Sequence, residues 1–300
     1  MAKILLTGRS GYVGGKLTRL LKDNGHTVCL VLRPQSNEIL VSDILEASDI
    51  KTFSSYQELQ ETIVNGRPDV IVHLACCYGR NGESESDMIQ ANLMLGLTML
   101  EASTKLGYPI HFINTDTCLQ RDLNSYSLSK AQFVDWGKFL ANREDSNVTF
   151  VNVRMQQFYG PADDIGKLPS HIVHSCFKNV KDLKLTTGSQ LRDFIYIDDV
   201  LSAYLALINN VENFKSFVEV QLGTGKSIPV KEFVETVHKL TSSSTNLLFG
   251  AVRARKNEPK ECVAHPTVMR SLGWSPKFSL VEGLEEMIRF EFDMVKNKND

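Results

Sequence analysis

The tightest constraint on the fold is a glycine-rich turn close to the N-terminus. Gly8, Gly11 and Gly14 follow an apolar run at residues 4–6 and open a segment with helical periodicity. A strand, a glycine turn and a helix in this order let a pyrophosphate approach the backbone at a helix N-terminus. A tight turn without a ligand is the alternative, and the position after the first strand favours a dinucleotide. The residues expected to bind the dinucleotide here are Gly8, Arg9, Gly11, Tyr12, Val13 and Gly14.

The rest of the first half alternates apolar strands with helical segments. Strand-like runs recur at residues 27–32, 70–75, 110–114 and 149–154. This alternation predicts an α/β fold with a doubly wound parallel Rossmann sheet and a smaller C-terminal substrate-binding region. We expect a dinucleotide-binding domain over residues 1–155. Residues 156–300 are richer in loops and should form mainly the substrate-binding region, interleaved with the first domain.

Composition and charge narrow the classes of protein that fit. A net charge of -2 argues against nucleic-acid binding, which usually requires a basic excess. The six cysteines include no CxxC pair, which fits a reducing cytoplasm and argues against a disulfide framework or a zinc site. His171 and His174 lack a third ligand, so we expect no metal. No run approaches the roughly 18 apolar residues of a membrane span, so we expect a cytoplasmic protein without a membrane partner.

Arg33 bears on the choice of cofactor. NAD-binding sites usually carry an acidic residue at the end of the second strand, which bonds the ribose 2′-hydroxyl. Here Arg33 follows Leu32 at that position. A guanidinium there, together with Arg9, can bind a 2′-phosphate through charge-assisted hydrogen bonds. This favours NADPH over NADH, with two merely solvated arginines as the alternative.

Residues 115–130 carry the candidate catalytic groups. Tyr126 and Lys130 are four residues apart at the start of a predicted helix and so share one face. An ammonium near a phenol lowers the phenol's pKa, which would let the pair exchange a proton near neutral pH. Thr115 ends the preceding strand and can offer a hydroxyl to the same substrate oxygen, although a structural strand-end hydroxyl is the alternative. Asp116 is expected to be a structural acceptor.

These motifs resemble the extended short-chain dehydrogenases/reductases that act on nucleotide sugars. The resemblance covers almost the whole chain, and the segments that carry it are TGRSGYVG, HLAC, ANLMLG with Asn92, the Tyr126 to Lys130 segment, FYGP and RDFIYIDDV. It is nearest to the branch of CDP-abequose and CDP-paratose synthases. The resemblance implies NADPH-dependent reduction of a CDP-linked 3,6-dideoxy-4-keto-hexose, used in making bacterial O-antigen sugars. Tyr126 and Lys130 would then also contact the cofactor.

Two other functions stay open at this stage. One is a nucleotide-sugar 4-epimerase with tightly bound NAD, and the other is a non-catalytic dinucleotide-binding sensor. Related 4,6-dehydratases carry Thr-Asp-Glu where this chain has Thr115, Asp116 and Thr117. Because a neutral hydroxyl cannot act as the dehydratase base near pH 7, Thr117 argues against dehydration.

The resemblance also implies substrate-binding residues and a homodimer. Thr115 would contact the sugar, and Arg192 and Arg255 would bind the substrate pyrophosphate through forked donors. Gln157 stands where many relatives have asparagine. Relatives dimerise through the two helices predicted at residues 86–106 and 125–143, so we expect a homodimer.

Overall fold

The computed structural model describes residues 1–33 and 50–296. Its strands are β1 Lys3–Thr7, β2 Thr27–Leu32, β3 Ile50–Thr52, β4 Val70–His73, β5 Ile110–Thr117, β6 Val148–Met155, β7 Gln157–Tyr159, β8 Asp182–Leu185, β9 Leu191–Arg192, β10 Phe194–Tyr196, β11 Phe217–Leu222, β12 Ile228–Pro229, β13 Asn246–Phe249 and β14 Glu261–Cys262. Its α-helices are α1 Tyr12–Asp23, α2 Tyr56–Gly66, α3 Glu85–Ile89, α4 Leu95–Thr104, α5 Ser125–Ala141, α6 Leu168–Phe177, α7 Ile197–Asn209, α8 Val230–Leu240, α9 Thr267–Ser271 and α10 Leu280–Lys296.

The largest sheet confirms the predicted doubly wound Rossmann fold. Over the described residues it has seven strands in the order β11-β6-β5-β4-β1-β2-β3. The pairs joining β1 to β2 and β4, β2 to β3, and β5 to β4 and β6 are all parallel. The order reverses on either side of β1, which is where ligands bind in open α/β sheets, outside the carboxyl ends of the strands.

The chain forms two compact units. The first contains residues 1–155 and 201–220, and the second contains residues 156–200 and 221–300. The first unit is built around the seven-stranded sheet. In the second unit, β7 pairs with β10 and β8 with β13 in parallel, and β9 lies between β12 and β14.

Aromatic rings fill the core of the first unit. Phe112, Phe150 and Phe217 stack in sequence, with centroid separations of 5.5 and 6.2 Å. The ring of Phe133 from α5 meets Phe112 and Phe150 edge-on at 5.8 and 5.6 Å. Large rings bury much apolar area, so this ladder holds α5 against β5 and β6 and thereby positions the first turn of α5.

Asp193 organises the second unit. Its carboxylate is fully buried and accepts hydrogen bonds from the backbone N–H groups of Thr224, Gly225 and Ala264 and from the Thr224 hydroxyl. A buried carboxylate is stable only when its oxygens are hydrogen-bonded. Asp193 therefore links three segments that lie far apart in sequence.

The spacing of Ser279 and Glu282 in the sequence predicts a capping box at the start of a last helix. The structure confirms it at α10, where Ser279 N–H donates to the Glu282 carboxylate and Glu282 N–H donates to Ser279 Oγ. The single helix expected at residues 86–106 is instead α3, a π-helical turn at Gln90–Met94 and α4. No helix among the described residues is both long and apolar enough to cross a bilayer.

Candidate active site

The glycine turn is packed too tightly for side chains. Gly8 has a φ of +79°, and a Cβ there would lie 2.6 Å from the backbone nitrogen of Ala75, next to the end of β4. A Cβ on Gly14 would lie 2.1 Å from the carbonyl oxygen of Gly8. Both distances are far below van der Waals contact, so these two positions require glycine.

The same turn leads into the N-terminus of α1, which has the features of an anion-binding site. Gly11 is the N-cap, so the helix start has no side-chain cap, and the first N–H groups of any helix lack intrahelical acceptors. Tyr12, Val13 and Gly14 form that first turn. A bare backbone with the positive end of a helix dipole fits a dinucleotide pyrophosphate.

The two arginines proposed for the 2′-phosphate differ in exposure. Arg33 is exposed directly after β2. Arg9 is only 6% exposed, and its Nη1 lies 2.9 Å from where a Cβ on Gly15 would be. Arg9 is therefore packed against α1, and its role in cofactor binding stays a prediction, as does that of Arg33.

His73 joins β4 to β1, the strand that precedes the glycine turn. Its Nδ1 is 2.8 Å from the Thr7 hydroxyl, and its ring meets the edge of Phe133 at 5.6 Å. Burial, helped by the charge of Lys130, lowers the pKa of His73 to about 3. The imidazole is therefore neutral at physiological pH.

Local hydrogen bonds position Tyr126 and Lys130. Asn124 caps α5 reciprocally with Ser127, since each backbone N–H donates to the other's side chain, at 2.9 and 3.2 Å. The cap starts the helix at Ser125, so Tyr126 lies in its first turn and Lys130 one turn later. Lys130 is almost fully buried and Tyr126 is half-buried.

The electrostatics of this pair differ from the sequence-based expectation. Burial raises the pKa of Tyr126 well above its usual value, and negative charge at Cys76, Tyr78, Asp116 and Cys118 adds to that shift. Burial also lowers the pKa of Lys130. The expected lowering of the phenol's pKa was wrong because desolvation dominates. Tyr126 is therefore a neutral phenol at pH 7, ready to donate a proton.

Asn92, in the π-helical turn, ties the loop after β4 to α5. Its Oδ1 accepts from Cys77 N–H at 2.7 Å, and its Nδ2 donates to Cys77 O and to Ser129 Oγ at 2.9 and 3.0 Å. One buried amide thus makes three hydrogen bonds that join the loop to the helix. In the sequence, only the family resemblance marks Asn92.

The Thr-Asp-Thr triplet makes three different contacts. The Thr115 hydroxyl is 2.5 Å from the hydroxyl of Tyr204 on α7. Asp116 accepts from the Asn152 amide at 3.1 Å, as expected of a structural acceptor. Thr117 Oγ1 accepts from Leu119 N–H at 3.2 Å.

Tyr78 is a site residue that sequence reasoning missed. It lies in the loop after β4, and its ring is 5.1 Å from that of Tyr126. The guanidinium carbon of Arg80 lies 5.0 Å from the Tyr78 ring centroid. No motif marks Tyr78, because loop residues reveal their partners only when the loop is folded.

The predicted substrate residues in the second unit are in different environments. Arg192 donates to Glu258 at 2.7 Å and to the carbonyl oxygens of Leu191 and Pro259 at 2.8 and 3.0 Å. Gln157 is half-buried in β7, and Arg255 is exposed. Phosphate binding by either arginine and sugar binding by Gln157 stay predictions.

Comparison with known proteins identifies the family. The sequence model described as the NAD dependent epimerase/dehydratase family matches residues 4–223. The chain belongs to this family. Among curated members, CDP-abequose synthase of Salmonella muenchen is 34% identical over 292 residues, covering 95% of this chain and 97% of that protein. CDP-abequose synthase of Salmonella typhimurium is 30% identical with the same coverage.

Solved structures share the fold. UDP-glucose 4-epimerase of Thermotoga maritima with UDP-glucose superposes with a TM-score of 0.80 at 20% identity, covering 98% of this chain and 99% of that one. MoeE5 in complex with UDP-glucuronic acid and NAD has a TM-score of 0.80 at 19% identity, covering 97% and 99%. At this identity the likeness extends to the Rossmann fold alone.

Proposed function

We propose that the protein reduces the C4 keto group of a CDP-linked 3,6-dideoxy-4-keto-hexose with NADPH. The observation that carries this proposal is the neutral, half-buried phenol of Tyr126, one helical turn from Lys130. Ketone reduction requires a proton donor at the keto oxygen, and a phenol with a raised pKa retains its proton at pH 7. The relatives named CDP-abequose synthase support the choice of a CDP-linked substrate.

The glycine turn and α1 would hold the cofactor pyrophosphate, with Gly8, Gly11 and Gly14 giving the backbone its close approach. Arg33 would favour the phosphorylated form through its positive charge. When bound, the reduced nicotinamide supplies the hydride that the C4 carbon accepts. The remaining chemistry falls to side chains of the first unit.

Tyr126 transfers its hydroxyl proton to the keto oxygen as C4 gains hydride, and the phenol becomes a phenolate. The Lys130 ammonium would stabilise that phenolate electrostatically, and uptake of one proton from solvent by the phenolate then restores the starting charge of the site. Thr115 donates a second hydrogen bond to the same oxygen. Asn92 has a structural role at this site, because it holds the loop after β4 against α5.

The site argues against two related reactions. Thr117 is neutral and bonded to Leu119 N–H, so it cannot remove a proton as a dehydratase base. A 4-epimerase begins by oxidising a hydroxyl, which needs Tyr126 as a phenolate. Burial raises the pKa of Tyr126 and so retains the phenol form from which reduction starts, which supports the reductase over the epimerase.

The test follows NADPH absorbance and sugar product together. Given a CDP-3,6-dideoxy-4-keto-hexose, the purified protein should consume one NADPH per sugar and form the 4-hydroxy product. Conversion of the sugar without net loss of NADPH would show that the protein is a 4-epimerase and not a reductase. NADPH binding without any turnover would indicate a dinucleotide-binding sensor. CDP-glucose should not be dehydrated.

The proposal extends to the cellular setting and assembly. The reaction would serve bacterial O-antigen sugar synthesis in the cytoplasm.

Homodimerisation is supported by α5, on which Trp136 and Phe139 are 44% and 57% exposed and pack edge to face. Exposed aromatic pairs are typical of protein interfaces. Sedimentation velocity of the protein and of Trp136→Glu would test this, since the charged variant should sediment as a monomer.

A further inference from the structure

Thr115 and Tyr204 are joined by a short hydrogen bond deep in the first unit. The two hydroxyl oxygens are 2.5 Å apart, and the residues are 89 positions apart in sequence. Tyr204 is fully buried on α7, whereas Thr115 is half-buried at the end of β5. Within residues 1–33 and 50–296, neither hydroxyl has another hydrogen-bond partner.

The burial of Tyr204 determines which hydroxyl donates. A buried O–H group that does not donate a hydrogen bond is destabilising. Burial also raises the pKa of Tyr204, so its hydroxyl stays protonated. The only acceptor that reaches it among the described residues is Thr115 Oγ1. Tyr204 therefore donates to Thr115, and the Thr115 proton is left for a second acceptor.

We propose that Tyr204 is a positioning residue for the reaction. By donating to Thr115 Oγ1, it holds one rotamer of Thr115 and directs the threonine proton to the substrate's keto oxygen. Polarisation along the two hydrogen bonds also makes Thr115 a better donor. The inference rests on the proposed function, because it assigns Thr115 to the substrate oxygen.

A double-mutant cycle separates this role from simple packing. The variants are Tyr204→Phe, which keeps the ring, Thr115→Val, which keeps the shape, and the double variant. Tyr204→Phe should lower kcat about three- to tenfold, the size expected for one hydrogen bond, with the KM for NADPH unchanged. In the Thr115→Val background the same change should alter kcat less than twofold, because the group it acts through is gone.

Tyr159→Phe is the matched control. Tyr159 is also buried, and its hydroxyl donates to the Leu280 carbonyl in the second unit, 3.2 Å away. Its removal should change kcat less than twofold in both backgrounds, and melting temperatures of all variants report on folding. If Tyr204→Phe does not fold, Tyr204→Leu, which also lacks a donor at this position, takes its place in the cycle and should show the same dependence on the Thr115 hydroxyl.

Two results would overturn the inference while the proposed function stands. In the first, the wild-type protein is active and Tyr204→Phe lowers kcat by the same factor in both backgrounds, which would mean a packing effect. The other is an unchanged kcat in Tyr204→Phe. Absence of turnover by the wild-type protein with every 4-keto sugar nucleotide is a different result: it removes the proposed function, and this inference falls with it.

Discussion

The ring of Tyr78 lies across that of Tyr126, with centroids 5.1 Å apart and planes inclined by 33°. This contact removes water from one side of the phenol. Desolvation is the largest cause of the raised pKa of Tyr126, and Tyr78 contributes directly as well. A loop residue therefore helps to keep the proposed proton donor protonated.

Tyr78→Ala should shift the pH dependence of turnover. Opening the site to water and removing the neighbouring phenol both lower the pKa of Tyr126. Because reduction needs protonated Tyr126, the loss of kcat at alkaline pH should begin at a lower pH than in the wild-type protein. Tyr78→Phe keeps the ring and should retain most of the wild-type profile. An alkaline limb that is identical in Tyr78→Ala and wild type would contradict this account.

Tyr126→Phe should remove most turnover and leave cofactor binding nearly intact. Only the proton donor is lost, and positioned acid catalysis typically supplies about 10²- to 10⁴-fold. Single-turnover reduction measures the chemical step, and fluorescence titration with NADPH measures binding. A loss below tenfold in the chemical step would show that another group donates the proton.

Arg33→Asp should lower or reverse the preference for NADPH. A carboxylate repels a 2′-phosphate and can instead bond a ribose hydroxyl. The measurement is the ratio of kcat/KM values for NADPH and NADH. Arg19→Asp makes the same charge change on the exposed side of α1 and should leave that ratio unaltered. An equal response in both variants would indicate a general charge effect.

His73 should make the protein less stable in mild acid. Its folded-state pKa of about 3 lies below the ordinary value of 6.5, so the unfolded chain binds the proton more tightly. The stability is present above pH 6.5 and is lost as the pH falls towards 3. Linkage gives a loss of about 2 kcal/mol in the free energy of unfolding between pH 7 and pH 5.

Denaturant unfolding at several pH values tests this assignment. His73→Gln should flatten the dependence between pH 7 and pH 5, although its stability at pH 7 should be lower because the Thr7 contact is altered. His171→Gln changes an exposed histidine and should keep the wild-type slope. A slope that survives in His73→Gln would assign the effect to other groups.

Two glycine variants should have opposite effects on stability. A Cβ on Gly14 would meet the Gly8 carbonyl oxygen at 2.1 Å, whereas a Cβ on Gly66, at the end of α2, would meet no atom within 4 Å. Gly14→Ala should lower the free energy of unfolding by about 1–3 kcal/mol or more and weaken NADPH binding. Gly66→Ala should raise it by up to about 1 kcal/mol, since alanine favours the helix. Chemical denaturation with and without NADPH measures both effects.

The sequence by itself determined the features that depend on short-range pattern. The glycine spacing around Gly8 and Gly14, the alternation of strands and helices, and the common face of Tyr126 and Lys130 all follow from local periodicity and backbone sterics. The capping box of α10 is equally local. Each of these needs only neighbouring residues, so each could be predicted before any packing was known.

Tertiary structure decided which distant groups meet and how far they are from water. Thr115 meets Tyr204 across 89 positions, and Arg192 meets Glu258 across 66. The direction of the Tyr126 pKa shift was predicted wrongly because the spacing to Lys130 is visible in the sequence while desolvation is not. Burial is a property of the whole packed unit, and for that reason only the folded chain reveals the protonation state of its proposed proton donor.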